Sequence, residues 1–182
     1  MKIRRLNETN ISRIWQHTKD DNTFAIIGSR DKDTGEDYTK QLYSFAREGL
    51  KNHWGFTQLE GTYTYKDGHK DVENSVIIYN IPKDKALEIA RKLNQESIIW
   101  KDKDYFGFLT SDGTPDGEFS KDTKNMELSG PDLELYGSKL AKHKNKKFMF
   151  RLESLEPKER SSIRNLGGIK YNRKKLLEFS LL

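Results

Sequence analysis

Residues 75–79 read Ser75-Val76-Ile77-Ile78-Tyr79, a run of β-branched and aromatic side chains after one hydroxyl residue. Side chains of this kind are enriched in strands, and a run without polar alternation is typical of a strand buried on both faces. Pro82 follows shortly afterwards and favours the start of a helix, because apolar residues then recur at helical spacing as far as Leu93. The sequence therefore predicts a central strand followed by a helix.

Further elements are predicted on both sides of this pair. Before it we expect a short helix from Leu6 to Thr18, a buried strand over 23–27, a helix over 37–52 and a half-exposed strand over 56–66. After it, residues 97–100 and 105–109 form a predicted hairpin. Near the C-terminus, 148–152 is one more strand candidate, and 157–166 fits a helix closed by two glycines.

The order of elements over residues 24–100 is β-α-β-β-α-β, which is typical of helices packed on one sheet. We therefore expect an α/β (α+β) fold, a ferredoxin-like sandwich with an N-terminal helix and a basic C-terminal extension. The predicted organisation is an N-terminal helix over 1–22, a core domain over 23–110, a surface loop region over 111–138 and a basic extension over 139–182 that packs on the core.

Positive charge is concentrated in the last quarter of the chain. Residues 139–182 hold 13 Lys+Arg against 4 Asp+Glu, a net charge of +9, whereas the preceding residues hold 20 against 24, a net charge of −4. A split of this kind indicates a polyanionic partner, such as nucleic acid or an acidic protein surface. The apolar end of the segment, with four leucines and a phenylalanine after residue 175, predicts that it docks on the core rather than extending freely.

Composition excludes several classes of function. The chain has no cysteine, which rules out disulfides, thiolate metal sites and a cysteine nucleophile. No stretch approaches the ~20 apolar residues of a membrane span, and the first residues lack the apolar run of a signal peptide. We therefore expect a soluble, intracellular protein without membrane association.

One polar constellation stands at the predicted ends of strands and helices, where ligand sites of α/β sheets often lie. Arg30 and the neighbouring hydroxyls are suited to holding a phosphate or a carboxylate. The competing and favoured interpretation is that Arg30 pairs with Glu73 or Asp31 while the other groups satisfy backbone ends. The ligand-binding candidates are Ser29, Arg30, Glu73, Ser75, Gln95 and Ser97.

Other catalytic or metal patterns are weaker. The four histidines stand in unrelated contexts without the spacing of a metal site, although His17 is expected near the sheet rim. The acidic loop over 112–118 does not match a calcium-binding loop, and its Asp-Gly steps are common turn formers. We expect no metal, no cofactor and no catalytic residue.

The basic quarter interleaves its cations with aromatic residues such as Phe148 and Phe150, and Tyr63 and Tyr65 belong to a predicted strand. Exposed aromatics beside a cationic segment are suited to base stacking and phosphate contact, although the tyrosines are equally suited to packing under a helix. The polyanion-binding candidates are Lys139, Lys142, Lys144, Lys146, Lys147, Arg151, Arg164, Lys170, Arg173, Lys174 and Lys175.

Several short motifs resemble those of a family of small uncharacterised proteins found in tailed bacteriophages and some bacteria. In that family a strand ends in a Ser/Ala-x-Arg element, a later strand opens with Glu-x-Ser, and a helix ends in Gln-x-Ser/Ala. The corresponding elements here are Gly28-Ser29-Arg30, Glu73-Asn74-Ser75 and Gln95-Glu96-Ser97. The resemblance also includes Ile14 and His17, the strand 24–28 and Gly61, and it covers roughly residues 11–110.

The chain departs from the family where Asp37-Tyr38-Thr39 replaces the usual asparagine of the first long helix. The opening Leu6–Ile14 also resembles a peptide found at the start of many gut-phage proteins. The resemblance implies phage origin, and with it a location in the host cytoplasm or in a virion, and supplies no mechanism.

Taken together, the residues favour a binding protein over an enzyme. The leading hypothesis is a non-enzymatic phage accessory protein that binds nucleic acid, or a host or virion partner, through a basic C-terminal face. One alternative is a structural or virion-associated assembly component. Another is the binding or processing of a nucleotide-like anion at a rim site around Arg30.

Overall fold

The computed structural model describes residues 10–64, 70–119, 126–127, 138–140 and 143–150. The helices are α1 (Asn10–Lys19), α2 (Thr39–Gly49), which a 3-10 turn (Leu50–Asn52) follows, and α3 (Lys83–Lys92). The strands are β1 (Phe24–Gly28), β2 (Gly55–Thr64), β3 (Lys70–Tyr79), β4 (Ser97–Lys101), β5 (Phe106–Thr110), β6 (Pro115–Glu118), β7 (Met126–Glu127), β8 (Ser138–Leu140) and β9 (His143–Phe150).

All nine of these strands belong to one sheet, in the order β6-β5-β4-β1-β3-β2-β8-β9-β7, and every pair is antiparallel. The α+β class and the β-α-β-β-α-β order of elements predicted for residues 24–100 are confirmed. Those four strands lie in the order β4-β1-β3-β2. The specific ferredoxin-like sandwich stays a prediction, because the sheet continues for five strands beyond them.

Helices cover one face of the sheet. Ala25 and Ile27 of β1 pack there against Leu42 of α2 and Ala90 of α3, in a cluster that includes the buried Trp100. Both helices bury the stripe that their apolar periodicity predicts, so the hydrophobic effect fixes them to this side. We call it the helix-covered face.

The opposite face of the sheet, the α1 face, is lined by aromatic residues. Ile14 of α1 and Phe24 of β1 belong to this cluster, as do Phe106 of β5 and Phe150 of β9. The rings of Phe106 and Phe150 have centroids 5.0 Å apart. Their strands stand six positions apart in the sheet, which would separate them by about 29 Å if the sheet were flat. The sheet therefore curls, and the α1 face is its inner side.

The structure extends or shifts several predicted elements. The strand predicted at 75–79 begins at Lys70, because a ten-residue ladder with β2 includes the polar residues before it. The strand candidate at 148–152 is β9 and begins at His143. The start of the region over 111–138, which was predicted as a surface loop, is not a loop: β6 pairs there with β5, and Phe119 is buried.

The predicted helix over 157–166 and the apolar C-terminus lie outside the described residues. None of the three helices in the described part of the chain is long and apolar enough to cross a membrane.

Candidate functional site

The six predicted ligand-binding residues lie at one end of the sheet, where β1 finishes. Gly28, the last residue of β1, is in register with Ser75 of β3, and the next backbone amide, from Ser29, donates to the carbonyl of Asn74. Ser97 begins β4, and Gln95 stands just before it. The prediction that these side chains share a rim was based on their positions at the ends of strands, and the topology of the sheet brings those ends together.

Two of the predicted residues hold the backbone of Arg30. Its N–H donates to Oε1 of Glu73 at 2.6 Å, and its carbonyl accepts a hydrogen bond from Nε2 of Gln95 at 2.7 Å. Both side chains are buried. Because β1 has ended, side chains far away in sequence satisfy backbone groups that a ladder would otherwise satisfy. Glu73 and Gln95 thus fix where the chain leaves the sheet.

The guanidinium of Arg30 is directed along β3. Nη1 lies 3.3 Å from a carboxylate oxygen of Asp71, and Nη2 donates to the carbonyl of Val72 at 3.0 Å. The sequence suggested Glu73 or Asp31 as the acidic partner; the acid that the guanidinium contacts is Asp71. The side chain is 34% exposed, so one side of the group faces solvent while the other is bound.

Ser29 joins a polar network at the start of α2. Its hydroxyl donates to Oδ1 of Asp37 at 2.7 Å, the hydroxyl of Thr39 donates to the same oxygen at 2.5 Å, and Asn74 donates to Thr39 at 3.1 Å. Partial burial acts to raise the pKa of Asp37, but the bonds from Thr39 and Ser29 outweigh it and the pKa is lowered. Asp37 is not among the site residues predicted from the sequence, although an Asp two residues before a helical Thr is a common start signal.

Asp31 fixes the loop between β1 and α2. Oδ1 accepts hydrogen bonds from the backbone amides of Asp33 and Thr34, each at 2.8 Å, and Oδ2 accepts one from Asn94 at 3.0 Å. The bond from the Thr34 amide, with help from Asn94, lowers the pKa of Asp31 to about 2 despite some desolvation. Asp31, which the sequence suggested as a partner of Arg30, instead closes a turn.

Two hydroxyls of the predicted set are buried within the sheet. Ser75 is completely buried, and its Oγ has no hydrogen-bond partner among the residues that the structure describes. Ser97 is also buried. No group of three metal-binding side chains exists within the described ranges. The contacts at this rim join backbone, loop and strand ends, so the arrangement is suited to holding a fixed loop with one half-exposed guanidinium.

A second polar cluster lies at the other end of the sheet. The ring of His17 stacks on Tyr79 with centroids 4.4 Å apart, and Nδ1 lies 3.1 Å from Asp20. Burial, assisted by the charges of Arg13 and Lys101, lowers the pKa of His17 although Asp20 acts to raise it. His17 therefore lies at a sheet rim, as predicted, but at the end opposite Arg30.

The basic candidates have a defined place only where the described strands include them. Lys139 of β8 is in register with Glu60 of β2 on one side and with Lys147 of β9 on the other. Lys144 and Lys146 also belong to β9. The remaining candidates lie outside the described residues: Lys142, Arg151, Arg164, Lys170, Arg173, Lys174 and Lys175.

Comparisons with known proteins assign neither a family nor a fold to the chain. No protein-family model matches the chain, and no curated protein matches it. Among solved structures, a phage SAM lyase in its apo state is similar, with a TM-score of 0.30 and 19% sequence identity. The similarity covers 52% of this chain and 82% of that one. A likeness of this size assigns neither a family nor an activity.

Proposed function

We propose that the protein is a non-enzymatic phage accessory protein that binds nucleic acid through its basic C-terminal quarter. The phage setting rests on the sequence motifs that resemble those of the bacteriophage family. The binding function rests on charge and on strand register.

The observation that carries the proposal is the register of β8 and β9, in which the positions of Lys139 and Lys147 are opposite each other. Like charges directly opposite each other in a sheet are destabilising, by up to ~1 kcal/mol. Glu60, the acid in register with Lys139, lies on the β2 side, away from Lys147. A phosphate bound at this pair would remove the repulsion, so the pair suits an anionic partner.

The rest of the charge distribution supports the same contact. The segment that contains both lysines carries a net charge of +9, and the residues before it carry −4. An acidic body repels phosphates while the basic segment attracts them, so the field orients nucleic acid toward this part of the molecule. Backbone contacts of this kind supply affinity without base sequence preference.

An electrophoretic shift with mixed DNA and RNA at low salt tests the proposal, because phosphate-driven binding is strongest there. We expect a shift with the wild type and a weaker one with the K139Q/K147Q variant. The matched control is K40Q/K51Q, which removes the same charge from two exposed lysines in and just after α2. The control should bind like the wild type. No shift at low salt would contradict the proposal.

The two alternatives find less support. Docking of the basic segment into a virion or host protein stays a prediction, since no contact of the described residues bears on it. Anion binding at Arg30 competes with the Asp71 carboxylate, which already contacts the guanidinium.

A further inference from the structure

A cleft of about 200 Å³ separates α2 from α3 on the outer side of the helix layer. Its apolar lining comes from Phe45, Trp54 and Ile89. Typical pockets for drug-sized ligands hold about 300–1,000 Å³, whereas a cavity of about 150 Å³ is known to take one benzene molecule. The cleft therefore has room for a single planar group rather than for a nucleotide.

Gly49 keeps the indole of Trp54 in the cleft. A Cβ atom at this position would lie 2.3 Å from Cε3 of Trp54, which no real contact tolerates. The backbone of Gly49 is ordinary right-handed helix, so its need for glycine comes from the ring and not from an unusual turn. The close approach of ring and helix defines one wall of the cleft.

Charged residues stand on both walls. On α3, Glu88 is bound by Lys85 at 2.8 Å and by Lys92 at 2.7 Å, and these bonds lower its pKa to about 2. On α2, Glu48 also lines the cleft, and in the described part of the chain it has no hydrogen bond or ion pair. The lysines are thus engaged with Glu88, and the carboxylate of Glu48 is available to a cationic guest.

Aromatic faces in the cleft already attract a cation. Nζ of Lys92 lies 5.6 Å from the ring centroid of Phe45, within the range of a cation–π contact. A guanidinium suits such a place better than an ammonium, because it is planar, stacks on aromatic rings and is more weakly hydrated. It also pairs with a carboxylate through two donors.

We propose that this cleft binds one arginine side chain presented by a protein partner. A partner rather than a free amino acid is favoured by Leu50, which follows Gly49 and is 53% exposed. An exposed large apolar side chain next in sequence to Gly49, which lines the cleft, offers contact to the residues that flank the arginine. The site is separate from the basic quarter and does not depend on nucleic-acid binding.

The test uses the full chain and three capped peptides, Gly-Ser-X-Ser-Gly, in which X is arginine, lysine or citrulline. Binding is followed by the NMR resonances of the three tryptophan indole N–H groups. We expect the arginine peptide to shift the Trp54 resonance in a saturable way, with several-fold weaker binding of the lysine peptide. Citrulline has the same shape without the charge, and its peptide should leave the resonance unchanged.

Two variants locate the site. Glu48→Gln should weaken binding of the arginine peptide several-fold, and Gly49→Ala should abolish it by displacing the indole while the helix is retained. Asp21→Asn, which removes an exposed acid in another part of the chain, is the matched control and should bind as the wild type does. The proposal is overturned if the arginine peptide causes no shift, if lysine binds equally well, or if Glu48→Gln binds like the control.

Discussion

Lys101 joins α1 to the sheet through a buried ammonium group. It donates to the backbone carbonyl of Asp20, to the carbonyl of Asn22 at 2.8 Å, and lies 3.3 Å from the Asp20 carboxylate. Carbonyls just beyond the end of a helix lack helical partners, and a cation there satisfies them. A buried lysine at the end of an apolar strand thus has a structural reason.

Replacing Lys101 by methionine keeps the length of the side chain and removes the donors. We expect Lys101→Met to lower the free energy of unfolding by about 2 kcal/mol, the usual loss for hydrogen bonds to a charged group. Urea denaturation measures the change. Lys103→Met, at an exposed position in the same hairpin, is the control and should change stability little. If Lys101→Met lowers the free energy of unfolding no more than Lys103→Met does, the hydrogen bonds of Lys101 contribute nothing to stability.

His17 makes stability depend on pH in a definite direction. Its pKa is lowered in the folded protein, so the unfolded chain binds the proton more readily. The contribution of His17 to stability is therefore fully present above the ordinary histidine pKa of about 6.5, and it is lost as the pH falls through the lower folded pKa. Urea denaturation from about pH 7.5 to about pH 5.5 should show this loss, and His17→Gln should reduce it.

The control for this experiment is His53→Asn. His53 is exposed and has a left-handed backbone with φ of 63°, which asparagine tolerates. The stability of the His53→Asn variant should change with pH in the same way as that of the wild type. If His17→Gln also matches the wild type, His17 is not the group responsible.

At the scale of elements, Gly107 allows β6 to lie against β5. A Cβ atom there would lie 2.1 Å from the carbonyl oxygen of Gly117 and 2.9 Å from the Cα of Glu118. The hydroxyl oxygen of Tyr105 lies beside this space, 2.6 Å from the carbonyl oxygen of Phe108 and 2.9 Å from that of Gly117, and its single proton is shared between the two. The pairing of β5 with β6 therefore depends on the absence of a side chain at Gly107.

Gly107→Ala should therefore push β6 away and cost about 1–3 kcal/mol of stability, as overpacking does. Hydrogen exchange should show reduced protection first at the amides of β6. Gly55→Ala is the matched control, because its new methyl group would meet only the Tyr79 ring at an ordinary 3.5 Å. Equal protection of β6 in the two variants would contradict this explanation.

Local pattern predicted the elements that bury apolar residues, and it failed where strand pairing includes polar ones. β1, β4, α2 and α3 are marked by runs or periods of apolar side chains. The first half of β3 and all of β6 lack such a pattern. They are held in the sheet by backbone hydrogen bonds to a neighbouring strand rather than by a run of apolar side chains. For the same reason the rim residues could be predicted from strand ends, whereas the partner acid Asp71, which the β2–β3 ladder places, could not.

At the scale of the whole molecule, the curl of the sheet connects distant parts of the chain. Phe150 contacts Phe106, Phe119 and Phe148, with ring centroids 5.0 to 5.7 Å apart. The strand β9, which belongs to the described part of the basic segment, is therefore part of the folded body. The stability of the core and the position of Lys147 are therefore linked through β9.

Phe150→Ala should lower the free energy of unfolding by about 3–5 kcal/mol, the usual cost of truncating a buried phenylalanine. Thermal and urea unfolding both measure it. Leu50→Ala removes an apolar side chain that is 53% exposed, and this control should cost no more than about 0.5 kcal/mol. If the two variants lose similar amounts of free energy of unfolding, the burial of Phe150 inside a curled sheet is contradicted.

The central claim is that the basic quarter binds nucleic acid through phosphate contacts, and the salt dependence of binding tests it most directly. Fluorescence anisotropy with a labelled single-stranded oligonucleotide gives the affinity over a series of salt concentrations. We predict that log K falls linearly with log salt, and that K139Q/K147Q reduces the steepness of the slope by about 1.4, because each lysine neutralises about one phosphate and each phosphate of a single strand contributes about 0.7. No binding at the lowest salt, or the same slope in wild type and variant, would contradict the claim.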